Sequence, residues 1–273
     1  MVKSPDVKVI ASSANPTVKL LASLRLKKHR DESGLFLCEG LRTVLDALAV
    51  VAVPQVLAYV PGAAPAKDLA PVSRAVTAGG GQCFEVSAEI IGKITRKDNP
   101  QTVVAAYPIH RRDFASITAK PDEIYVALDR VRDPGNLGAI VRTADAVGAA
   151  GVLLIGECCD PYATEAVRAT MGSIFTVPIH EGDEAAFTAL ARRWPGAVVG
   201  TSPTATSDYR QARYAAPVLA VLGSEQSGMS PAVAAACKTA VRIPIYGRAE
   251  SLNLSVATGV LLYAIKQALA ARG

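Results

Sequence analysis

The sequence lacks the short motifs that mark most large enzyme classes. Its 273 residues contain no G-x-x-x-x-G-K-[ST] phosphate loop, no G-x-S-x-G nucleophile elbow and no H-E-x-x-H zinc motif. Gly79 and Gly81 fit the first two positions of a dinucleotide-binding G-x-G-x-x-G, but Phe84 stands at the third. These absences argue against P-loop NTPases, α/β-hydrolases, zinc proteases and the common Rossmann-type enzymes.

Cysteine and aromatic residues are also scarce. The five cysteines are irregularly spaced, and the adjacent Cys158 and Cys159 belong to no C-x-x-C pair, so a disulfide framework or a zinc ribbon is not expected. Aromatic residues make up 5% of the chain, too few for a sheet that binds RNA mainly by stacking bases. We therefore expect no metal and a reducing compartment.

Long uninterrupted apolar runs are missing as well. The most apolar stretch, residues 44–66, is broken by Asp46, Pro54 and Pro61, so it is not expected to cross a bilayer. The first ten residues carry three charged side chains and show no secretory signal. The expectation is a cytoplasmic protein with no membrane partner.

What the chain does contain is enough apolar surface for two globular domains. Half of its residues are hydrophobic, 19% are charged, and the net charge is +5. That mild basic excess permits a nucleic-acid partner without requiring one.

Alternating helix and strand patterns predict the domains. Residues 1–110 read as a small α/β domain, residues 111–121 as a basic linker, and residues 122–273 as an α/β domain with a mostly parallel sheet covered on both faces. Particular elements predicted are a helix over 16–28 capped by Asn15, a loop over 63–71, and strands over 175–178 and 241–245.

The first of three dense polar segments, residues 128–148, follows a buried strand. Asp133 and the Pro-Gly that follows form a turn, Asn136 is placed to cap the next helix, and Arg142 lies six residues further on. Taken alone, the segment also fits an ordinary capped helix with Arg142 paired to Asp145.

The second segment, residues 219–231, is an apolar strand that runs into a glycine loop with Glu225, followed by Ser230-Pro231 at a helix start. A carboxylate at the carboxyl end of a strand lies where open α/β sheets bind ligands. A glycine turn with a solvated Glu225 remains the alternative.

The third segment, residues 241–257, is a strand and a glycine loop, after which Ser251 and Asn253 open the last helix. Each of these two residues could be a helix cap and nothing more. Three polar loops at the ends of parallel strands would nevertheless converge if those strands are neighbours.

Together the segments resemble three motifs of the SpoU (TrmH-type) branch of the SPOUT RNA 2′-O-ribose methyltransferases. The motifs are N-x-G-A-I-x-R at 136–142, G-S-E-x-x-G at 223–228 and I-P…E-S-L-N at 243–253, in the family's order and spacing. Residues 168–174 and the N-terminal half are also similar to family segments. The sequence departs from the pattern at Gln226, where a side chain would crowd the cofactor loop, and at Thr102; glycine is more usual at both.

The resemblance implies a trefoil-knotted C-terminal domain, preceded by a ribosomal-protein-like α/β domain that binds the RNA substrate. It also implies S-adenosyl-L-methionine as cofactor and a homodimer with the site near the subunit interface. The residues that the motif match assigns to the cofactor are Gly223, Ile243, Leu252, Leu222, Ser251 and Leu254.

By the same match, Arg142 is the key catalytic group, Asn136 orients it, and Glu225, Ser251 and Asn253 hold the ribose or arrange that pair. A guanidinium is normally always charged, so we favour stabilisation of a developing alkoxide over a role as base. The cationic residues expected to contact RNA phosphates are Arg25, Lys27, Lys28, Arg30, Arg111 and Arg112. For residues 25–30 a solvated helix end is an equal alternative.

The expected reaction is methylation of a ribose 2′-hydroxyl, with ribosomal RNA favoured because of the auxiliary N-terminal domain. A transfer-RNA methyltransferase, a resistance methylation of ribosomal RNA, a non-catalytic ribosome-assembly protein and a small-molecule α/β enzyme are the alternatives. A non-catalytic relative would be expected to lose Arg142 or the E-S-L-N tract, and both are present.

Overall fold

The structure, a computed structural model, describes residues 7–97 and 99–271. Most of the N-terminal stretch searched for a secretory signal, residues 1–6, lies outside the described residues. The chain forms two compact units: Met1–His110 with Tyr162–Phe175, and Arg111–Pro161 with Thr176–Gly273. The segment 162–175, which the sequence pattern places in the C-terminal domain, thus belongs to the first unit.

The first unit is built on a five-stranded mixed sheet. Its elements are β1 (Val7–Ile10), α1 (Pro16–Ser23), α2 (Lys27–Ser33), β2 (Leu35–Glu39), α3 (Leu41–Ala49), β3 (Val56–Tyr59), α4 (Ala66–Ala78), β4 (Gln82–Val86), α5 (Ala88–Thr95) and β5 (Val103–Pro108). The strand order is β1-β4-β3-β5-β2, with β5 antiparallel to both neighbours. Alternate residues of β5 enter two different apolar clusters, so both faces of this sheet are covered.

Two local predictions for this unit need correction. Asn15 does cap α1, accepting a hydrogen bond from the Thr17 amide at 2.8 Å, but the predicted helix 16–28 is two helices separated at residues 24–26. The predicted loop 63–71 is largely the start of α4, which carries Pro71 inside it. Leu69 and Val72 are buried three positions apart there, and their packing outweighs the hydrogen bond lost at proline.

The second unit is built on a seven-stranded sheet. The elements from residue 124 onward are β6 (Ile124–Asp129), α6 (Pro134–Val147), β7 (Gly151–Ile155), α7 (Thr164–Ala169, in the first unit), β8 (Ile179–Gly182), α8 (Glu184–Arg193), β9 (Ala197–Thr201), β10 (Ser207–Asp208), β11 (Val218–Leu222), α9 (Pro231–Ala236), β12 (Thr239–Arg242) and α10 (Leu254–Ala270). All pairings are parallel, in the order β10-β12-β9-β11-β6-β7-β8. The predicted parallel α/β architecture is confirmed.

Two strands of this sheet lie elsewhere than predicted. Residues 173–175 form a single 3₁₀ turn, and the strand predicted at 175–178 is β8, four residues later. β12 ends at Arg242 rather than Ile245, because Pro244 has no N–H to donate to a neighbouring strand.

The strand order decides where the three polar segments begin. β6 and β11 are direct neighbours, while β12 is separated from β11 by β9. Because the strands are parallel, their carboxyl ends open at one edge of the sheet, which is where ligands bind in open α/β folds.

Candidate active site

Asn136 joins the three segments through its side chain. Its Nδ2 donates to Glu225 Oε1 at 2.6 Å, and its Oδ1 accepts from Asn253 Nδ2 at 2.9 Å. These partners lie 89 and 117 residues away in sequence. Glu225, Asn136 and Asn253 therefore form one hydrogen-bonded row, which we call the amide row.

Asn136 is free for this role because another residue caps α6. Asp133 is the N-cap, and its Oδ1 accepts from the Asn136 backbone amide at 2.6 Å. The prediction that Asn136 caps the helix is wrong, since Pro134 takes the first helical position and places the cap on the residue before it.

Asn253 is both a cap and a member of the amide row. Its Oδ1 accepts from the backbone amides of Ser255 and Val256 at the start of α10, at 2.9 and 3.4 Å. Its Nδ2 is left to donate to Asn136. Ser251, the other candidate cap, instead stands exposed in the preceding loop.

The loop that carries Glu225 is closed on itself. Ser224 and Gly228 exchange two backbone hydrogen bonds at 3.2 and 3.0 Å. A Cβ on Gly223 would lie 2.0 Å from the Gly228 carbonyl carbon and 2.0 Å from the Met229 nitrogen, so only glycine fits. A tight glycine turn explains the glycines, but Glu225 is bonded to Asn136 rather than merely solvated.

An ion pair between a buried carboxylate and a partly exposed arginine, which the sequence reasoning missed, anchors this loop. Asp129 ends β6 with 2% of its surface exposed, and accepts from Arg130 at 2.8 and 3.1 Å and from the Ser230 amide at 2.6 Å. Arg130 also donates to the Gly228 carbonyl at 3.2 Å. The hydrogen bond to Asp129 raises the pKa of Arg130. A charged pair directly after an apolar strand was the available signal.

Arg130 adopts a backbone conformation that favours glycine, with φ 56°. Such a conformation costs an arginine on the order of 1–2 kcal/mol, and strain of this kind persists where surrounding contacts impose it. Here those contacts are the ones that hold the Gly223–Gly228 loop.

Arg142 projects from α6 into solvent. Within residues 7–97 and 99–271 it makes no hydrogen bond or ion pair, so the alternative pairing with Asp145 is not seen. Nor does Asn136 bond to it: its Nδ2 donates to Glu225 and its Oδ1 accepts from Asn253. The role of Asn136 in orienting Arg142 therefore stays a prediction, and it would have to act through something other than a direct hydrogen bond.

The residues that the motif match assigns to the cofactor differ in how much of their surface is exposed. Leu222 and Leu254 are buried at 1% and 6%, while Ile243 and Leu252 are half-buried. In the described part of the chain, backbone N–H groups of residues 243–252 donate to no other backbone group. The half-buried apolar side chains and the unengaged backbone donors of this segment suit an adenine ring and its polar edge. The site thus fits S-adenosylmethionine.

The cations predicted to bind RNA in the first unit are not equivalent. Arg30 is 2% exposed and donates to the Leu24 carbonyl at 2.8 Å, so the predicted phosphate contact is corrected to a structural role between α1 and α2. Arg25, between α1 and α2, donates to the Ala22 carbonyl of α1, and burial, followed by repulsion from Arg96, lowers its pKa. Lys27 and Lys28 are exposed.

In the second unit, Arg111 pairs with Glu181 at 3.0 Å and Arg112 is exposed. Among residues 7–97 and 99–271, no cluster of three or more His, Cys, Asp or Glu has the arrangement of a metal site. No helix in those ranges is long and apolar enough to span a bilayer.

Comparison with known proteins covers both halves of the chain. The profile of the SpoU rRNA Methylase family matches residues 123–263, and that of the MRM3-like substrate binding domain matches residues 15–105. An uncharacterized tRNA/rRNA methyltransferase of Synechocystis is 31% identical over 94% of this chain and 93% of its own length. The 23S rRNA (guanosine(2553)-2′-O)-methyltransferase RlmP of Bacillus subtilis is 28% identical over 95% of this chain and its entire length.

Among solved structures, the AdoMet-bound rRNA methyltransferase from Sinorhizobium meliloti is similar throughout. It is 42% identical, with a TM-score of 0.89 over 96% of this chain and 98% of that one.

Proposed function

The chain belongs to the SpoU rRNA methylase family, and from this premise we propose that it methylates a ribose 2′-hydroxyl of ribosomal RNA with S-adenosylmethionine as the methyl donor. The observation that carries the proposal is the amide row, which joins the family's three motifs through hydrogen bonds, and the exposed Arg142 follows six residues after Asn136 on α6. Relatives named as rRNA 2′-O-methyltransferases support the choice of substrate.

Gly223, Ile243 and Leu252 are the residues that would hold the cofactor, through bare backbone and half-buried apolar surface. When bound, S-adenosylmethionine supplies a methyl group on a positively charged sulfur. The chain's task is then to place a ribose oxygen in line with that methyl group, and alignment of this kind is worth about 7–11 kcal/mol.

A ribose hydroxyl is a weak nucleophile at neutral pH because its pKa lies far above 7, so almost none of it is ionised. The methyl group passes from the sulfonium to the ribose oxygen, and the hydroxyl proton is lost to solvent water. Arg142 is proposed to stabilise the negative charge that develops on the oxygen, as an always-charged donor with no partner among the residues that the structure describes. The carboxylate of Glu225 and the amide of Asn253, both fixed by Asn136, are proposed to position the ribose, with the exposed Ser251 hydroxyl as a further contact.

We further propose a cytoplasmic homodimer that holds RNA through Lys27, Lys28 and Arg112. Val256 and Tyr263 support the dimer: both are 52% exposed and lie one heptad apart on α10, so they share a face of that helix. Two large apolar side chains exposed on one face of a helix whose other face is buried suit a subunit contact.

The test is methyl transfer from tritiated S-adenosylmethionine to ribosomal RNA by Arg142→Ala, with Arg192→Ala as the matched control. Arg192 is an exposed arginine of α8, outside the site. We expect Arg142→Ala to lower turnover by roughly 10²–10⁴-fold with cofactor affinity little changed, and the control to match the wild type. Full turnover in Arg142→Ala removes that residue from the mechanism. Methylation of transfer RNA alone contradicts the proposed substrate.

A further inference from the structure

Tyr246 stands out as an aromatic ring held in solvent. It lies in the loop between β12 and α10 and has 83% of its surface exposed, in a chain with few aromatic residues. Its hydroxyl accepts a hydrogen bond from Arg210 Nη2 at 3.0 Å. An apolar ring that is anchored by its polar tip, with its faces left open, is suited to bind something flat.

Arg210, which holds the hydroxyl of the ring, is itself held in place by Asp208. Asp208 accepts from Arg210 Nε at 3.0 Å, from Nη2 at 2.6 Å and from the Arg210 backbone amide at 2.9 Å. β10, which carries Asp208, pairs with β12 so that Asp208 lies opposite Arg242. The hydrogen bonds from Arg210, with a smaller contribution from Arg242, lower the pKa of Asp208 to about 2, so it stays ionised at neutral pH.

The charge around the ring favours an anionic partner. Asp208 neutralises one of the two guanidinium groups, which leaves one positive charge, and Arg242 is exposed. Arg210 bonds to the hydroxyl of this ring, and Arg242 lies four residues before it in the chain. A π-face beside a free guanidinium is the combination that binds single-stranded nucleic acid, with a base on the ring and a phosphate on the cation.

We propose that Tyr246 stacks on an unpaired base of the substrate RNA while Arg242 contacts a neighbouring phosphate, with Arg210 as the positioning residue for the ring. This rests on the proposed function, since it adds a binding site for the same RNA. Tyr246 is seven residues from Asn253, so even a fully extended chain keeps it within about 25 Å of the amide row. The stacked base then lies within a few nucleotides of the target ribose.

The test measures affinity for a mixed-sequence single-stranded RNA of about 12 nucleotides, at several salt concentrations and with S-adenosylhomocysteine present. Tyr246→Ala is expected to bind roughly 5- to 150-fold more weakly, with an unchanged slope of log affinity against log salt. Tyr246→Trp keeps an aromatic ring, and Tyr246→Phe loses only one exposed hydrogen bond. The RNA affinity of both variants is therefore expected to lie within about threefold of the wild-type affinity. Arg242→Ala is expected to reduce the slope by about 0.7.

Three outcomes would overturn the proposal. The first is equal weakening in Tyr246→Phe and Tyr246→Ala, because the hydroxyl rather than the ring would then matter. The second is wild-type RNA affinity in Tyr246→Ala. The third is a Tyr246→Ala variant whose defect is a changed KM for S-adenosylmethionine or a changed oligomeric state. If the wild type methylates RNA and Tyr246→Ala behaves like it, only the stacking site fails. If the wild type neither binds nor methylates RNA, the proposed function fails too.

Discussion

The amide row leads to the prediction that activity depends on which side chain donates in the hydrogen bond between Asn136 and Glu225. In Asn136→Asp, the side chain keeps its shape and can still accept from Asn253, but it can no longer donate to Glu225. Two carboxylates would then face each other across the 2.6 Å contact that Asn136 Nδ2 now makes with Glu225 Oε1. We expect the row to break between Asn136 and Glu225 and to remain intact toward Asn253.

The size of the effect follows from two contributions. A hydrogen bond to a charged acceptor is worth about 1.5–3 kcal/mol, and two like charges near 4 Å in a watery setting repel by about 1 kcal/mol. Because Glu225 is exposed, water replaces part of the lost bond. A net loss of about 2–3 kcal/mol corresponds to a drop in kcat/KM of roughly 30- to 160-fold.

The assay is kcat/KM for ribosomal RNA methylation by four enzymes: the wild type, Asn136→Asp, Glu225→Gln and the double variant. Glu225→Gln alone is expected to lose about fivefold, since the glutamine oxygen still accepts but carries no charge. The double variant restores a donor opposite a carboxylate with the polarity reversed, so we expect it to recover to within about tenfold of wild type.

A double variant no more active than Asn136→Asp would refute the reasoning, because the bond between the two side chains would then have no role of its own. Wild-type kcat/KM in Asn136→Asp would refute it equally. Melting temperatures within a few degrees across the four proteins would show that the comparison concerns the site and not folding.

Two further predictions concern the loop and the thiols. Gly223→Ala places a Cβ against the Gly228 and Met229 backbone, so we expect about 1–3 kcal/mol of destabilisation in urea melts and a weaker Kd for S-adenosylmethionine by calorimetry; wild-type values for both would contradict the close approach. Burial raises the pKa of Cys158 to about 11 and of Cys237 to about 12, so the reactive thiolate becomes abundant only as pH rises toward those values. Iodoacetamide at pH 8 should leave both unmodified by mass spectrometry in the folded protein, and rapid alkylation of either there would be inconsistent with this burial.

Local patterns in the sequence were sufficient where a short stretch of chain decides its own structure. The apolar runs that became β6 and β11, the Asn15 cap and the Ser230-Pro231 helix start are all features of neighbouring residues. The three motifs were likewise recognisable, because each is a compact string at the end of a strand. From these alone followed the α/β class and the family.

Tertiary structure overrode local patterns where burial or distant contacts compete. Arg30 reads as an exposed cation of a helix end, yet the turn between α1 and α2 encloses it against the Leu24 carbonyl. Pro71 reads as the end of a loop, yet α4 includes it. In both cases packing against the rest of the unit contributes more than the propensity of the residue itself.

What only the tertiary structure decided is the pairing of the functional side chains. The sequence determined which residue types follow each strand, but Asn136 meets partners 89 and 117 residues away because β11 lies beside β6 and because residues 243–253 return the chain from β12. In strand order β12 is three positions from β6, about 14 Å at the usual strand spacing. No local periodicity encodes that order. It follows from how the apolar residues of β6, β7, β9 and β11 are buried together, and so the amide row is a property of the folded sheet.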